Sequence, residues 1–155
     1  MLKPQQLRQK LLDSVPLLQA HPDSLTLLTD SGRIVSTLAA SLSFEYHYRL
    51  NVAIAAFSGE MDGVIVPILD WLRVNQPDLM ATKEKQRDGF TFQIHPVSDT
   101  TYDIAIVLQL SERVRVTRDG TALYIEHVAE SPPPQDDARP LQLYAHGRLI
   151  SEYGA

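Results

Sequence analysis

The sequence contains no cysteine, so it can form neither a disulfide framework nor a cysteine-containing zinc site. It has no apolar run near the roughly 18 to 20 residues of a membrane-spanning helix, and its first ten residues lack an apolar signal core. There are 14 basic against 19 acidic residues, a net charge of −5. Because tight duplex binding needs clustered basic residues, specific nucleic-acid binding is not expected. These absences predict a protein that is made in a cytoplasm and does not enter membranes.

Patterns that would indicate catalysis or metal binding are missing as well. The five histidines have no metal-ligand spacing, and the sequence has no G-x-S-x-G motif. The segment DSGR at 30–33 lacks the further glycines and the lysine of a phosphate-binding loop. Asp62 and Asp70 share a helix face only loosely and make a poor catalytic pair. No catalytic, cofactor or metal residues are therefore predicted, and an enzyme is disfavoured.

Two amphipathic helices are predicted. In the first, Pro4 suits the first turn, and Pro16 removes a main-chain donor and so bends or breaks the helix. The second covers 62–75, where Asp62 can cap the start and Pro67 lies early enough to bend the helix without ending it. The apolar stripes consist of Leu7, Leu11, Val15 and Leu18 in the first helix and Met61, Val64, Ile65, Ile68 and Leu72 in the second.

The middle of the chain predicts a hairpin followed by a long strand. Residues 25–38 read as two short apolar runs around a turn at 30–32. From Leu42 to Ala56 every even-numbered residue is apolar, which is the period of a strand with one buried face. At roughly 3.3 Å per residue this strand would be about 50 Å long, whereas a domain of this size is about 40 Å wide.

Further strands are predicted in the second half. Segments 90–94 and 102–110 alternate apolar and polar residues. Asp119-Gly120 suits a two-residue hairpin turn. The sequence thus predicts an α+β domain over 1–130, with an antiparallel sheet covered on one face by the two main helices. The register expected at the hairpin pairs Arg118 with Thr121, Val116 with Leu123 and Val114 with Ile125.

The C-terminal part predicts an arm. Residues 131–140 contain four prolines and no apolar period, which favours an extended spacer. Residues 141–155 predict a small hairpin with its turn at His146-Gly147. An isolated two-stranded hairpin is marginally stable, so this one needs a surface to dock on, its own domain or a neighbour. The expected pairs are Leu143 with Ile150 and Tyr144 with Leu149.

Several ordered segments resemble the tail completion protein R family of Peduovirus-type temperate phages with contractile tails. The resemblance covers essentially the whole chain, and its longest matching segments are too ordered to arise from composition alone. The segments are MLKP at 1–4, STLAASLSFE at 36–45, YRLNV at 48–52, IVPILDWLRVNQPDLM at 65–80, GFTF at 89–92, SER at 111–113, SPPP at 131–134 and RPLQLYAHGRLIS at 139–151.

This resemblance implies a virion assembly protein at the head-proximal end of the tail. There it would form a terminator ring, expected to be a hexamer of subunits resembling tube proteins, that stops growth of tube and sheath. The partners implied are further copies of itself, the tail tube protein, the tail sheath protein and a neck or connector protein, with DNA passing through the ring. Assembly in the host bacterial cytoplasm and a place in the virion neck follow. The family supplies no motif for a functional residue.

The long strand suggests how such a ring could be joined. A strand that outruns its domain would leave unpaired main-chain groups at one end, and a neighbour's sheet would satisfy them. The C-terminal hairpin would be a second contact. The predicted interface residues are Phe44, Glu45, Tyr46, His47, Tyr48, Arg49, Leu141, Leu143, Tyr144, Leu149 and Ile150.

Two other functions stay open at this point. One is a neck adaptor that contacts the head connector more than the tail tube. The other is a small soluble binding module that uses an exposed sheet edge to hold a partner segment. Which layer of the particle the protein touches separates the first from a terminator, and a monomer at high concentration would favour the second.

Overall fold

The first half of the chain contains two groups of helices separated by a pair of strands, and strands predominate in the second half. The computed structural model describes residues 1–130 and 141–153, and the predicted spacer at 131–140 lies outside them. The elements are α1 (Lys3–Ser14), α2 (Pro16–Ala20), a 3-10 turn (Pro22–Ser24), β1 (Leu25–Val35), β2 (Phe44–Phe57), α3 (Asp62–Asn75), α4 (Lys83–Asp88), β3 (Phe90–Pro96), β4 (Tyr102–Asp119), β5 (Ala122–Val128), β6 (Leu141–Ala145) and β7 (Arg148–Tyr153).

The helices follow the sequence closely. The predicted break at Pro16 is confirmed: Val15, between α1 and α2, is extended with φ −112° and ψ 108°, because a residue before proline disfavours the helical region. α3 has the predicted bounds and continues through Pro67. The predicted capping by Asp62 is wrong, since Met61 is the N-cap residue, no side chain caps the helix, and Asp62 is its first residue.

The main sheet is antiparallel with strand order β1-β2-β4-β3, and β5 pairs with the C-terminal part of β4. Its first half has a regular register in which five residues of each of four strands lie side by side. We call these the four-strand rows. They are Leu25–Ile54–Ile104–Ile94, Thr26–Ala53–Ala105–Gln93, Leu27–Val52–Ile106–Phe92, Leu28–Asn51–Val107–Thr91 and Thr29–Leu50–Leu108–Phe90.

The core lies between one face of this sheet and the helices, as predicted. Even-numbered residues are buried from Tyr48 to Ile54 in β2 and from Ile104 to Val114 in β4, whereas Arg49 and Ala53 on the opposite face of β2 are exposed. An ion pair between Lys10 and Asp70 (2.8 Å) joins α1 to α3 at the edge of the core. The largest fully buried side chains are Leu7, Leu11, Leu18, Leu50, Val52, Ile54, Val64, Ile68, Ile104, Ile106, Leu108 and Val114.

The hairpin predicted over residues 25–38 is wrong. Most of these residues form a single strand, β1, which pairs with β2 on both sides of a bulge at Asp30. The bulge inserts one extra residue and so changes which residues face the core. Leu27 faces the helices before it, and Ile34 lies on that same face after it. This change of face, rather than a chain reversal, separates the two apolar runs.

The prediction of a long strand is confirmed, but the expectation that one of its ends lacks partners is wrong. β2 is a central strand, paired with β1 over 45–54 and with β4 from Phe44 to Ile54 and at Phe57. Just before β2 begins, the hydroxyl of Ser43 accepts a hydrogen bond from the main-chain N–H of Val116 on β4 (3.0 Å). The hydroxyl of Ser41 donates to the main-chain carbonyl of the same residue (3.1 Å). The neighbouring strand is longer still, because residues 102–119 form one strand, β4.

The predicted register of the β4–β5 hairpin is wrong by two residues. Asp119 pairs with Ala122, so Gly120 and Thr121 form the turn. Gly120 has a φ of +64° and occupies the first central position, where turns that suit hairpins need a positive φ. The shift leaves every side chain on its expected face. Between α3 and β3 lies a short helix, α4, which the sequence analysis did not predict.

The C-terminal hairpin forms with the predicted turn and docks on its own chain. Tyr144 lies opposite Leu149 as expected, but Leu143 pairs with Ser151, because a bulge places Ile150 out of register. The hairpin is a separate two-stranded sheet that lies against α1 and α3. A Cβ atom added at Gly63 in α3 would lie 3.2 Å from the Cδ1 atom of Ile150.

Candidate assembly surfaces

The predicted interface segment at 44–49 lies where the helix-covered part of the sheet ends. The side chains from Phe44 to His47 are half-buried. The rings of Phe44 and Tyr46 meet edge to face, with centroids 5.1 Å apart, on the face that carries the core. On the opposite face, the Glu45 carboxylate contacts His47 (2.8 Å) and Arg113 (3.7 Å). The segment therefore presents an aromatic pair on one side and a charged cluster on the other.

Tyr48 is not a surface residue, which corrects its prediction as an interface residue. Its side chain is 4% exposed, and its hydroxyl donates to the Oε2 atom of Glu112 at 2.6 Å. Burial, together with the hydrogen bond to this carboxylate, raises the pKa of Tyr48 far above its usual value. Arg49, next to it, is exposed and pairs with Asp30 in the β1 bulge at 3.1 Å.

Glu112 is the centre of a buried polar network that the sequence analysis missed. It is 5% exposed, and its Oε1 atom accepts a hydrogen bond from the main-chain N–H of Leu2 at 2.7 Å. Glu112 occupies an even position of β4 between Leu110 and Val114, where the strand alternation calls for an apolar side chain. This interruption of the apolar alternation is the feature of the sequence that could have indicated a buried polar network.

Lys3 extends this network to the end of α3. Its ammonium group donates to the Gln76 side chain (2.7 Å), the main-chain carbonyl of Ser111 and the Glu130 carboxylate (3.2 Å). Burial lowers the pKa of Lys3, although Glu130 and Glu112 oppose this shift. Because Gln76 also accepts from the N–H of Ser111 (3.0 Å), α1, α3 and β4 are joined through one amide. The network fixes the helices on the sheet.

Large apolar side chains are exposed along the edges of the main sheet. On β1, Leu28 is 63% exposed; on β3, Phe92 is 57% and Ile94 41% exposed. On β5, Leu123 and Ile125 are 56% and 70% exposed. Edge strands carry unpaired main-chain groups, so apolar side chains on them mark contact sites for further strands.

The predicted interface residues of the C-terminal hairpin divide into two sets. Leu141, Leu143 and Ile150 are half-buried in the hairpin, of which Ile150 points at α3. Tyr144 and Leu149 are 57% and 50% exposed. The hairpin therefore has one side against its own subunit and an apolar pair on its open side.

A cleft of about 700 Å³ lies between the β1–β2 pair, the end of α3 and α4. Its wall includes Asp78, which pairs with Lys85 at 3.3 Å. Burial alone would raise the pKa of Asp78, but hydrogen bonds from Gln76 and Lys85 lower it. Over residues 1–130 and 141–153 there is no group of three or more His, Cys, Asp or Glu residues that could hold a metal ion. Among the described residues, the cleft therefore carries the Asp78–Lys85 ion pair and no such group of metal ligands.

Open sheet edges with exposed apolar side chains are features of a structural subunit that assembles with other chains. The chain belongs to the P2 phage tail completion protein R (GpR) family, whose model matches residues 1–131. It is 48% identical over 153 residues to Tail completion protein R of Escherichia phage P2, which covers 99% of each chain. It is accordingly a structural protein of a phage tail and not an enzyme.

No solved structure matches the chain significantly, so the expected likeness to tail terminators and tube proteins stays a prediction. Within the part of the chain that the structure describes, no helix is long and apolar enough to cross a membrane.

Proposed function

We propose that this protein caps the head-proximal end of a contractile phage tail, ends the growth of tube and sheath, and provides the face that joins the head. The observation that carries the proposal is the near full-length similarity to a protein named for tail completion. A terminator must bind the last ring of a growing tube on one side and stop addition on the other. A small subunit with contact surfaces on several sides suits that task.

The proposed assembly is a ring, with a hexamer as the expected size, in the virion neck. Its partners are further copies of this chain, the tail tube protein, the tail sheath protein and a neck or connector protein, and DNA passes through the ring. Head-to-tail contacts between identical subunits close into a ring when the rotation allows it. The segment at 44–49, apart from Tyr48, is the proposed contact with the tube or neck, because its aromatic pair and its charged cluster lie beyond the helices.

We propose a division into a main domain at 1–130, a spacer at 131–140 and a C-terminal hairpin arm at 141–155. In the described part of the arm, residues 141–153, the exposed pair Tyr144 and Leu149 is the proposed contact with a neighbouring chain. The contact of Ile150 with α3 holds the hairpin to its own subunit, so the arm need not leave its domain to present this pair.

Complementation of a phage that lacks this gene tests the proposal. The expected result without the protein is tails of irregular length that do not join heads, seen by electron microscopy, and the protein supplied in trans restores both. Purified tails that have never met heads should already contain the protein. Tails of normal, uniform length in its absence, with only head joining lost, would contradict the capping role and favour the neck adaptor.

A further inference from the structure

Two opposite edges of the main sheet carry uncharged segments at the same position along the strand axis. On β1 this is Leu25–Thr29, and on β3 it is Phe90–Ile94. The two segments form the ends of the four-strand rows, from Leu25 and Ile94 to Thr29 and Phe90. Both lie on the outside of the sheet, where no strand of the described chain pairs with them. Leu28 and Phe92, at the two edges, each expose more than half of their side chain.

The rest of these edges is blocked against pairing. The second half of β1 begins with the bulge at Asp30 and contains Arg33, and β3 ends at Pro96. Bulges, charges and proline are the features by which edge strands avoid further strands. The two uncharged segments lack all three. The guanidinium of Arg8 already donates to the main-chain carbonyl of Leu25 at 2.8 Å, so pairing is open from Thr26 to Thr29 on β1 and from Phe90 to Ile94 on β3.

The strand directions allow the two edges to meet. β1, β2, β4 and β3 are successively antiparallel, so β3 runs opposite to β1. When two copies stand side by side in the same orientation, β3 of one and β1 of the next are therefore antiparallel. At the same height, Phe92 lies opposite Leu27 on the helix side, and Gln93 lies opposite Thr26 on the other. A shift by two residues keeps both faces matched.

We propose that successive copies of this chain join through these two edges, so that the antiparallel sheet continues from subunit to subunit around the ring. This inference rests on the proposed function for the existence of a ring. The edges differ, so the contact is head-to-tail and can close with any number of subunits. The helices form the thicker layer and fit on the outside, where the circumference is larger. The inner surface then carries the uncharged side chains of the rows, Thr26, Leu28, Asn51, Ala53, Thr91, Gln93, Ala105 and Val107.

The third open edge, β5, does not suit a closed ring. It pairs with β4 over 113–119, and only its last residue shares a row with β1, through Val35, Glu45 and Arg113. A neighbour that paired its β1 with β5 would be displaced along the strand axis by several residues of about 3.3 Å each. Repetition of that displacement gives an open spiral. Pairing through the edges of the four-strand rows involves no displacement along the strand axis and so allows a closed ring.

Cysteine cross-linking tests the contact. Because the chain has no native cysteine, only the introduced thiols can react. Thr26→Cys and Gln93→Cys proteins are treated with a short bis-maleimide separately and as a mixture, both in solution and in tails from complemented phage. We expect cross-linked dimers only in the mixture, and a ladder up to the full ring from the double variant. The matched control combines Thr26→Cys with Tyr124→Cys on β5. Cross-linking in this control but not in the first pair, or by Thr26→Cys alone, would overturn the proposal.

A charge on one edge should prevent ring formation. We expect Phe92→Lys to lose the ring by mass photometry and to lose tail completion, while Ile125→Lys, at a β5 side chain that is 70% exposed, keeps both. If Phe92→Lys does not fold, the double variant Thr26→Glu, Gln93→Glu tests the same edge, because its two like charges should repel across the contact and prevent the ring. The double variant Thr26→Glu, Gln93→Lys places opposite charges there and should restore the ring. Rings that tolerate the paired glutamates would refute the edge contact.

The two proposals fail in different ways. If tails lacking the protein are irregular and its rings form without cross-linking between β1 and β3, the capping function holds and the edge contact is wrong. If the edges cross-link but tail length is normal without the protein, the ring exists and the capping function is wrong.

Discussion

The hydroxyl of Tyr48 and the carboxylate of Glu112 lie 2.6 Å apart and join the two central strands where the helix-covered part of the sheet ends. The pair is buried, and the other oxygen of Glu112 is bonded to the main chain of Leu2. Strand β2, strand β4 and the start of α1 thus meet at a single carboxylate. A network of this kind specifies one arrangement of the helices on the sheet when all of its members are satisfied.

Removal of the hydroxyl should destabilise the protein. We expect Tyr48→Phe to lower the free energy of unfolding by about 1–3 kcal/mol, because a buried carboxylate oxygen loses its donor. Tyr124→Phe, at a tyrosine that is 58% exposed, should change it by less than about 0.5 kcal/mol. Urea unfolding followed by circular dichroism measures both. Equal stability of the two variants would show that the Tyr48 bond contributes nothing.

The same tyrosine should make the protein sensitive to alkali. The pKa of Tyr48 is raised in the folded state, first by burial and then by Glu112, from an ordinary value of 10.0. Its contribution to stability is therefore complete below about pH 10 and is lost as pH rises further, because only the unfolded chain then releases the proton. We expect the free energy of unfolding of Tyr48→Phe to fall less steeply between pH 10 and 11 than that of the wild type. Parallel curves would contradict the shift.

Core and edge leucines should differ in their effect on stability. Leu50 is fully buried between the sheet and the helices, so Leu50→Ala should cost about 2–5 kcal/mol through lost burial and a cavity. Leu28 is 63% exposed, so Leu28→Ala should change the stability of the isolated subunit by less than about 0.5 kcal/mol. Thermal and urea unfolding of the monomeric protein give the comparison. A large loss in Leu28→Ala would mean that this edge is already covered.

The packing of the C-terminal hairpin against α3 can be tested by substitution of Gly63. We expect Gly63→Leu to displace the hairpin, because even a Cβ atom there lies 3.2 Å from the end of Ile150. Hydrogen exchange in 141–153 should then rise while the main sheet stays protected. Gly63→Ala is the control, since the flexible end of Ile150 can move slightly to accept one methyl group. Unchanged exchange in Gly63→Leu would place the hairpin elsewhere.

The sequence predicted those parts of the fold in which local preference and burial agree. Pro16 breaks the first helix because proline has no main-chain donor, and the bounds of α3 follow from its apolar stripe. The even-numbered residues of β2 are buried from Tyr48 to Ile54 as their alternation indicates. Each of these features is determined by residues that lie close together in the sequence.

The errors arose where a single residue changes the pairing of a strand. Asp30 looks like part of a turn, yet it is a bulge held by Arg49, and Gly120 rather than Asp119 takes the first position of the β4–β5 turn. Nothing in the sequence near these positions separates the alternatives, because pairing with a distant strand decides between them. The surface residues were harder still. Tyr48 was predicted as an interface residue although its even position belongs to the buried face, where its hydroxyl bonds to the distant Glu112.

The bulge at Asp30 makes this position of β1 tolerant of the loss of one residue. Because Asp30 has no paired residue on β2 in the strand register, its removal would leave the residues from Ser31 to Val35 opposite their present partners and each side chain on its present face. The register of β2 with β4 has no such extra residue between Phe44 and Ile54, so a deletion there would turn the side chains beyond it to the opposite face. Homologues of this chain that are one residue shorter between residues 25 and 35 should therefore lack the residue at the bulge.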